Sequence, residues 1–381
     1  MPPVVTPPGT RKYGLVLAAG GARAAFQAGV LRYVAENFPK FEPRIFTGIS
    51  AGSINSTFLA QGEPFRQSAL QLHALWEQLT FDQVLQTNFQ SLASMGLRWV
   101  YDLVASRITR RLLLKSLLDA SPLAMTLLNH IHFWKISRAV QSGLIDGVAV
   151  TATDYYTGSA TVFYDSHQPI PPWTREQRRS ERTSIRARHI MASCSIPLLF
   201  PPVRVGNSLY GDGSLRFNFP FSPALQMGAT HILAISIRPK RTTEPKREYR
   251  PDHLGIGFVA GAVLNSIFLD SVEQDFENVC RINKFLTKDD RRVYPVLIRP
   301  SQDPSAIARE FRKEVPFHFR QLIGSTAAPD ESGDLLSYLL FSPGYVRAML
   351  QLGYQDARAQ HAAIEEGLAL ASAPAPAPAQ A

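Results

Sequence analysis

Gly48-Ile49-Ser50-Ala51-Gly52 is the stretch on which the reading of this chain turns. Ahead of it, Arg44-Ile45-Phe46-Thr47 reads as a buried strand; behind it, Ser53-Ile54-Asn55-Ser56-Thr57-Phe58-Leu59-Ala60 reads as a helix. A serine at a tight strand-to-helix turn points its hydroxyl away from the backbone, and flanking glycines let the turn close. The helix N-terminus behind it favours negative charge near that oxygen. Ser50 is therefore a candidate nucleophile, with Gly48 and Gly52 as the glycines of its motif. A serine that merely caps a helix in a glycine-rich turn has the same five letters, so partners elsewhere must decide.

Upstream lies a second unit of the same kind. Tyr13-Gly14-Leu15-Val16-Leu17-Ala18-Ala19 is a short apolar strand, Gly20-Gly21-Ala22-Arg23 a turn, and residues 24–38 a helix with Phe26, Val30, Val34 and Phe38 at helical spacing. Two strand–turn–helix units in succession predict an α/β fold with a parallel sheet covered by helices. Small residues at Gly20, Gly21 and Ala22 leave backbone N–H groups free to point at an anion, which makes this turn a candidate oxyanion site. Neither G-x-x-x-x-G-K nor G-x-G-x-x-G is present there, so nucleotide-binding loops are unsupported.

Residues 63–140 lack strand signals and read as a helical insertion after the Ser50 helix. Apolar density at 92–101 and 112–118 fits a helical cap over an apolar pocket and, equally, amphipathic helices packed on the sheet. Strand character returns at 144–153 and 160–164. Ile190 to Ser195 is a helix end stopped by Pro197, and residues 203–210 form a hairpin around Gly206-Asn207. A short helix (223–228), a buried strand (230–237) and a long helix or helix pair (252–287) follow. Pro295 marks 293–298 as an edge strand, and helices fill 304–370. No linker divides 12–370, which is expected to be one domain between a proline-rich arm (1–11) and a disordered Pro/Ala tail (371–381).

Composition narrows the function. With 381 residues and 45% hydrophobic content the chain can bury a large core. Its two cysteines, Cys194 and Cys280, make no disulfide framework or zinc spacing, so a reducing compartment is the default and no metal or other cofactor is expected. Residues 1–8 lack the form of a secretory signal, and the longest apolar run, 254–269, is short for a membrane span. A protein of the cytoplasm or of a membrane surface is expected. The net charge of +9 leaves anionic membranes and acidic ligands open as partners. Arg175, Arg178, Arg179, Arg182, Arg186 and Arg188 cluster within 14 positions, as a solvated loop and helix face or as a docking patch for anionic head groups. Nucleic acid is not expected, and the oligomeric state is not legible.

A serine nucleophile needs a base. None of the nine histidines sits in a small-residue turn after a strand. His231 begins a strand, and His361 lies in an alanine-rich helix. Asp212 does sit in such a turn, Gly211-Asp212-Gly213, although an aspartate between glycines is ordinarily a turn former.

Taken together these motifs resemble the patatin-like phospholipase family of lipid acyl hydrolases. Gly20-Gly21-Ala22-Arg23 is similar to its oxyanion loop, Gly48-Ile49-Ser50-Ala51-Gly52 to its nucleophile elbow, and Asp212-Gly213-Ser214 to its D-G-[AG] motif, in the family's order. Residues 192–202 are similar to the segment before the aspartate strand. Weaker likenesses lie at 116–123, at 152–154 with 157–158, and along the 261–283 helix. The chain departs from the pattern at Ala19, Ala24 and Ser214, none of which removes a catalytic group. The resemblance implies a three-layer α/β/α fold with a central, mostly parallel sheet. It also implies a Ser50–Asp212 dyad without histidine and hydrolysis of a phospholipid or other acyl-lipid ester; calcium dependence is not implied. Arg23 would then stabilise the Asp212 charge or bind a substrate phosphate. Two alternatives stand beside it: a histidine-dependent esterase using His231, and a non-catalytic α/β protein binding anions or membranes through the arginine stretch.

Overall fold

The computed structural model describes residues 11–85, 119–197, 199–217, 219–240, 262–263, 265–266, 271–286, 292–316 and 333–370. The apolar runs at 92–101 and 112–118, most of the 252–270 stretch and the Pro/Ala tail lie outside the described residues, as does the N-terminal arm up to residue 10.

β1 (Tyr13–Leu17) leads through a 3-10 turn at Gly21–Ala24 into α1 (Ala25–Asn37). β2 (Ile45–Ile49) leads into α2 (Ala51–Leu59), with Ser50 alone between them. Next come α3 (Phe65–Gln78), α4 (Phe81–Val84), α5 (Ser121–His130) and α6 (Phe133–Gln141), so the described parts of the insertion are helical. β3 (Gly147–Asp154), β4 (Ala160–Ser166), β5 (Thr174–Arg175), β6 (Arg178–Arg182), α7 (Ala187–Ser193), β7 (Val203–Val205) and β8 (Ser208–Asp212) follow. The chain continues with α8 (Ser222–Gln226), β9 (His231–Ile235), α9 (Ser271–Phe285), β10 (Tyr294–Ile298), α10 (Pro304–Glu310), α11 (Gly333–Leu339), α12 (Pro343–Ala359) and α13 (His361–Gly367).

The sheet is mixed, with the strand order β10-β9-β1-β2-β3-β4-β6-β5. The run from β10 to β3 is parallel throughout, while β4 and β8 pair antiparallel with β3. Parallel strands need crossovers that place helices over both faces, so their residues are apolar without alternation. β2, β3 and β9 are buried along their whole length, as that geometry requires. One hydrophobic core gathers residues from Leu15 to Leu370. Pro295 does stand on an edge strand, β10, where its missing N–H costs no ladder bond. Among the described residues no helix is long and apolar enough to cross a membrane.

One segment departs from its reading. The arginine stretch was expected as loop and helix face, yet 174–182 is a hairpin that extends the sheet beyond β4. No apolar alternation announces it, because polar groups hold it. The buried Ser180 hydroxyl accepts the Trp173 N–H at 2.7 Å, and Arg179 is drawn inward onto Asp154.

Candidate active site

β3 brings the distant halves of the site together. It is longer than β2: Ile49, the last residue of β2, pairs with Thr151. From the next residue the place of β2 is taken by β8, which comes from the opposite direction and ends with Asp212 opposite Ala152. The two strands therefore meet end to end along β3, whose successive residues lie about 3.3 Å apart. Ser50 and Asp212, separated by 162 positions in the chain (212 minus 50), fall at one junction. The turn glycine after the aspartate closes the gap. A Cβ on Gly213 would lie 2.2 Å from the Thr151 carbonyl oxygen and 3.0 Å from Ile49 Cγ2.

Ser50 is held in a strained conformation, φ 52° and ψ −128°, which side chains other than glycine rarely adopt. Its N–H donates to Ser193 Oγ at 2.8 Å, and that hydroxyl donates in turn to the Thr151 carbonyl at 2.6 Å. The Ser50 carbonyl accepts the Ser53 N–H at 2.8 Å. Gly48 and Gly52 are dictated by close approach. A Cβ on Gly48 would meet the Gly52 carbonyl oxygen at 2.2 Å, and one on Gly52 would meet that of Leu17 at 2.3 Å.

Asp212 is fully buried. Its N–H donates to the Ser195 carbonyl at 2.8 Å, its carbonyl accepts the Thr153 hydroxyl at 2.8 Å, and its Oδ1 accepts the Ser214 N–H at 2.9 Å. Oδ2 meets no hydrogen bond of full geometry among the described residues. Burial pushes the carboxyl up to about 6; the nearby Ser50 hydroxyl and the N–H and hydroxyl of Ser214 pull it part of the way back. Cys194 adjoins the pair, with Sγ 4.0 Å from Ser53 Oγ. Burial, aided by the Asp212 charge, pushes its thiol far above the ordinary range, so it is inert as a nucleophile.

The Gly20–Ala22 turn is fixed against the Ser50 helix by a buried polar chain. Trp76 Nε1 donates to Asn55 Oδ1 at 2.8 Å, Asn55 Nδ2 donates to Gln27 Oε1 at 2.9 Å and to the Ala24 carbonyl at 3.2 Å, and Gln27 Nε2 donates to the Ala18 carbonyl at 2.7 Å. Gly21 has φ 51° and opens a 3-10 turn, and the first N–H groups of a helix have no acceptor within it. Gly21 and Ser50 face one open cavity of about 770 Å³, counting the space at its mouth. Ile54, Leu72, Trp76, Leu127, Ile196 and Leu339 make its walls largely apolar.

A family model for patatin-like phospholipase matches residues 15–225, more than half of the chain, and so spans the turn, the elbow and the aspartate. This chain belongs to the patatin-like phospholipase family. Among curated proteins it is 24% identical over 239 residues to the uncharacterized protein YqhO of Bacillus subtilis (strain 168), covering 62% of this chain and 74% of that one. Among solved structures it is similar to VipD from Legionella pneumophila, with 12% identity, a TM-score of 0.38 and coverage of 93% of this chain and 67% of that one. It is also similar to human GIVD cytosolic phospholipase A2, solved with methyl gamma-linolenyl fluorophosphonate, with 15% identity and a TM-score of 0.44. That likeness covers 94% of this chain, but the chain spans only 59% of the human protein. Family membership supports a lipid hydrolase in general terms.

Arg23 of this patatin-like chain is not where the sequence reading put it. Its side chain is 1% exposed and hydrogen-bonds to residues of α10 and α11. Neither role expected for it, at the aspartate or at a substrate phosphate, fits that placement. The histidine alternative also loses its candidate. His231 opens β9, pairs with Tyr13 and Tyr294, and stacks on Tyr294 with ring centroids 4.9 Å apart. It lies at the N-terminal edge of the parallel strands, level with Tyr13 and so with Arg44, whereas Ser50 follows their C-terminal edge, roughly 20 Å further along at about 3.3 Å per residue. His130 does line the cavity.

The six arginines divide. Arg179 Nη2 donates to the buried Asp154 at 2.6 Å and to the Tyr210 hydroxyl at 3.0 Å, and Arg178 lies over the Phe219 ring at 3.9 Å. Arg175, Arg182, Arg186 and Arg188 remain exposed. The sequence reading missed Ser193, Ser195 and Asn55 as parts of the site. Residues 192–202 were noticed only as a likeness. Nothing in the spacing says that Ser193 takes the Ser50 N–H while Ser195 takes that of Asp212.

Proposed function

We propose that this protein hydrolyses carboxylic esters of acyl lipids through a Ser50–Asp212 dyad. The observation behind this reading is the junction on β3, where a strained serine meets a buried carboxyl whose pKa lies near 6. Asp212 takes the Ser50 hydroxyl proton as Oγ bonds to the ester carbonyl carbon. The oxygen of that carbonyl becomes an oxyanion, held by N–H groups of the Gly20–Ala22 turn and of Ala51 at the start of α2. As the carbon–oxygen bond to the alcohol breaks, Asp212 returns the proton to the leaving oxygen. Water then attacks the acyl-enzyme and gives a proton to Asp212, and Ser50 leaves with it. A carboxyl raised to about 6 is a stronger base than an ordinary aspartate and still ionised at neutral pH. The apolar cavity walls suit the acyl chain.

The test is hydrolysis of p-nitrophenyl butyrate and of a lysophospholipid by Ser50→Ala and Asp212→Asn, with fluorophosphonate labelling mapped to its peptide. Both variants should lose activity while staying folded, and the label should fall on Ser50. Full activity in Asp212→Asn, with loss in a His130→Ala variant, would instead assign the base to a histidine. Contact of the exposed Arg175, Arg182, Arg186 and Arg188 with anionic membrane belongs to the same proposal. It requires salt-sensitive binding to anionic vesicles that the fourfold alanine variant loses.

A further inference from the structure

Arg23 follows the oxyanion turn immediately, yet the hydrogen bonds of its side chain all reach chain more than 280 positions away. Nε donates to Ser337 Oγ at 2.8 Å, Nη1 to the Tyr338 hydroxyl at 3.2 Å and Nη2 to Ser305 Oγ at 2.9 Å. The guanidinium lies 3.9 Å from the centre of the Tyr338 ring, and Asp334 Oδ1 is 3.7 Å from Nη2. Those partners are themselves tied down. Ser337 Oγ donates to the Asp334 carbonyl at 2.6 Å, Ser305 Oγ donates to Asp334 Oδ1, and the Tyr338 hydroxyl donates to Asn265 at 2.9 Å.

The same element touches the turn from its other side. A Cβ on Gly21 would stand 2.2 Å from the Tyr338 carbonyl oxygen, so the turn backbone rests directly on α11. Tyr338 and Leu339 also line the cavity that holds Ser50. A planar fork with three engaged nitrogens fixes direction as well as charge, which a lysine cannot reproduce.

We propose that Arg23 is a positioning residue that sets the Gly20–Ala22 turn against α11. It thereby makes Ser305 and α11, beyond the family match at 15–225, part of the catalytic machinery. The inference rests on the Ser50–Asp212 reading, with oxyanion donors in that turn. Arg23 touches neither substrate nor the reacting atoms; it acts through the placement of the N–H groups. A displacement of about 1 Å in such a group costs on the order of 100-fold in rate, and loss of one donor about 100- to 1000-fold.

The experiment uses the full chain with Arg23→Lys and, because that change strains a buried site, Ser337→Ala as the milder second variant. Rates are taken on p-nitrophenyl butyrate, which has no phosphate, and on a lysophospholipid. Each is divided by the sites titrated with a fluorophosphonate, so that misfolded protein is not counted. The expected result is a fall in kcat per titrated site of about 10- to 100-fold for Arg23→Lys on both substrates, with a smaller fall for Ser337→Ala. KM should stay within about twofold and the acid limb of the pH profile should keep its midpoint. Unchanged kcat per site in both variants would overturn the inference, as would a loss seen only with the lysophospholipid, which would mean that Arg23 reads phosphate. Ser50→Ala separates the two levels. Inactivity there with unaffected Arg23 variants refutes this inference alone, while activity there refutes the dyad and the inference together.

Discussion

Replacing Asp212 by asparagine should destroy activity and make the protein more stable. The native carboxyl takes up its proton at about 6, against 3.8 for the ordinary side chain, because burial opposes its charged form. A group whose folded pKa is raised favours folding below the unfolded value, and that contribution is lost as pH rises through the folded one. Here the window is pH 4 to 6. The gap of about two pH units, at roughly 1.4 kcal/mol each, amounts to about 3 kcal/mol of strain once Asp212 is ionised. Asparagine keeps the size of the side chain and an oxygen to accept the Ser214 N–H, and it carries no charge to bury. Urea denaturation of the two proteins between pH 4 and 8 reads this directly. The unfolding free energies should nearly coincide near pH 4, and the variant should lead by about 3 kcal/mol at pH 8. Other buried groups that titrate nearby, such as Asp275, also raised to about 6, cancel in the difference. Parallel stability profiles, or a wild type more stable at pH 8, would refute the claim that a desolvated carboxylate is held beside Ser50 at a cost in stability.

The rate should carry the same titration. On p-nitrophenyl butyrate, kcat/KM should be flat above pH 6 and fall about tenfold per pH unit below it; a plateau reaching below pH 5 would contradict the raised value. Gly213→Ala forces a Cβ to within 2.2 Å of the Thr151 carbonyl oxygen, so it should cost about 1–3 kcal/mol and most of the activity, measured by Tm and initial rates. Ser193→Ala strips the acceptor from the buried Ser50 N–H. A loss of about 1–3 kcal/mol is expected, with slower fluorophosphonate labelling that Ser193→Thr largely restores. Asn55→Ala unpairs Trp76 Nε1 and the Gln27 amide together, and should lower stability by a similar amount per stranded group, checked by denaturant titration.

Local residue patterns are enough to read the α/β class and the three short motifs. Each of these is written in residues only a few positions apart. Continuous apolar strands, helical spacing and glycines at forced close approaches leave their mark locally, and β1, α1, β2 and α2 are all legible from them. The β5–β6 hairpin was not legible, because inward-turned polar side chains stabilise it and its surface reads as charge. Which residues face one another emerges only on packing. The register of β3 puts Asp212 beside Ser50, because β2 stops opposite Thr151 and β8 takes over opposite Ala152. The packing of α11 against the Gly20–Ala22 turn draws Arg23 into a buried network. Both outcomes are set by contacts between segments far apart in the chain. No local spacing encodes them, since the free energy that selects them is gained only when the sheet and its covering helices have packed.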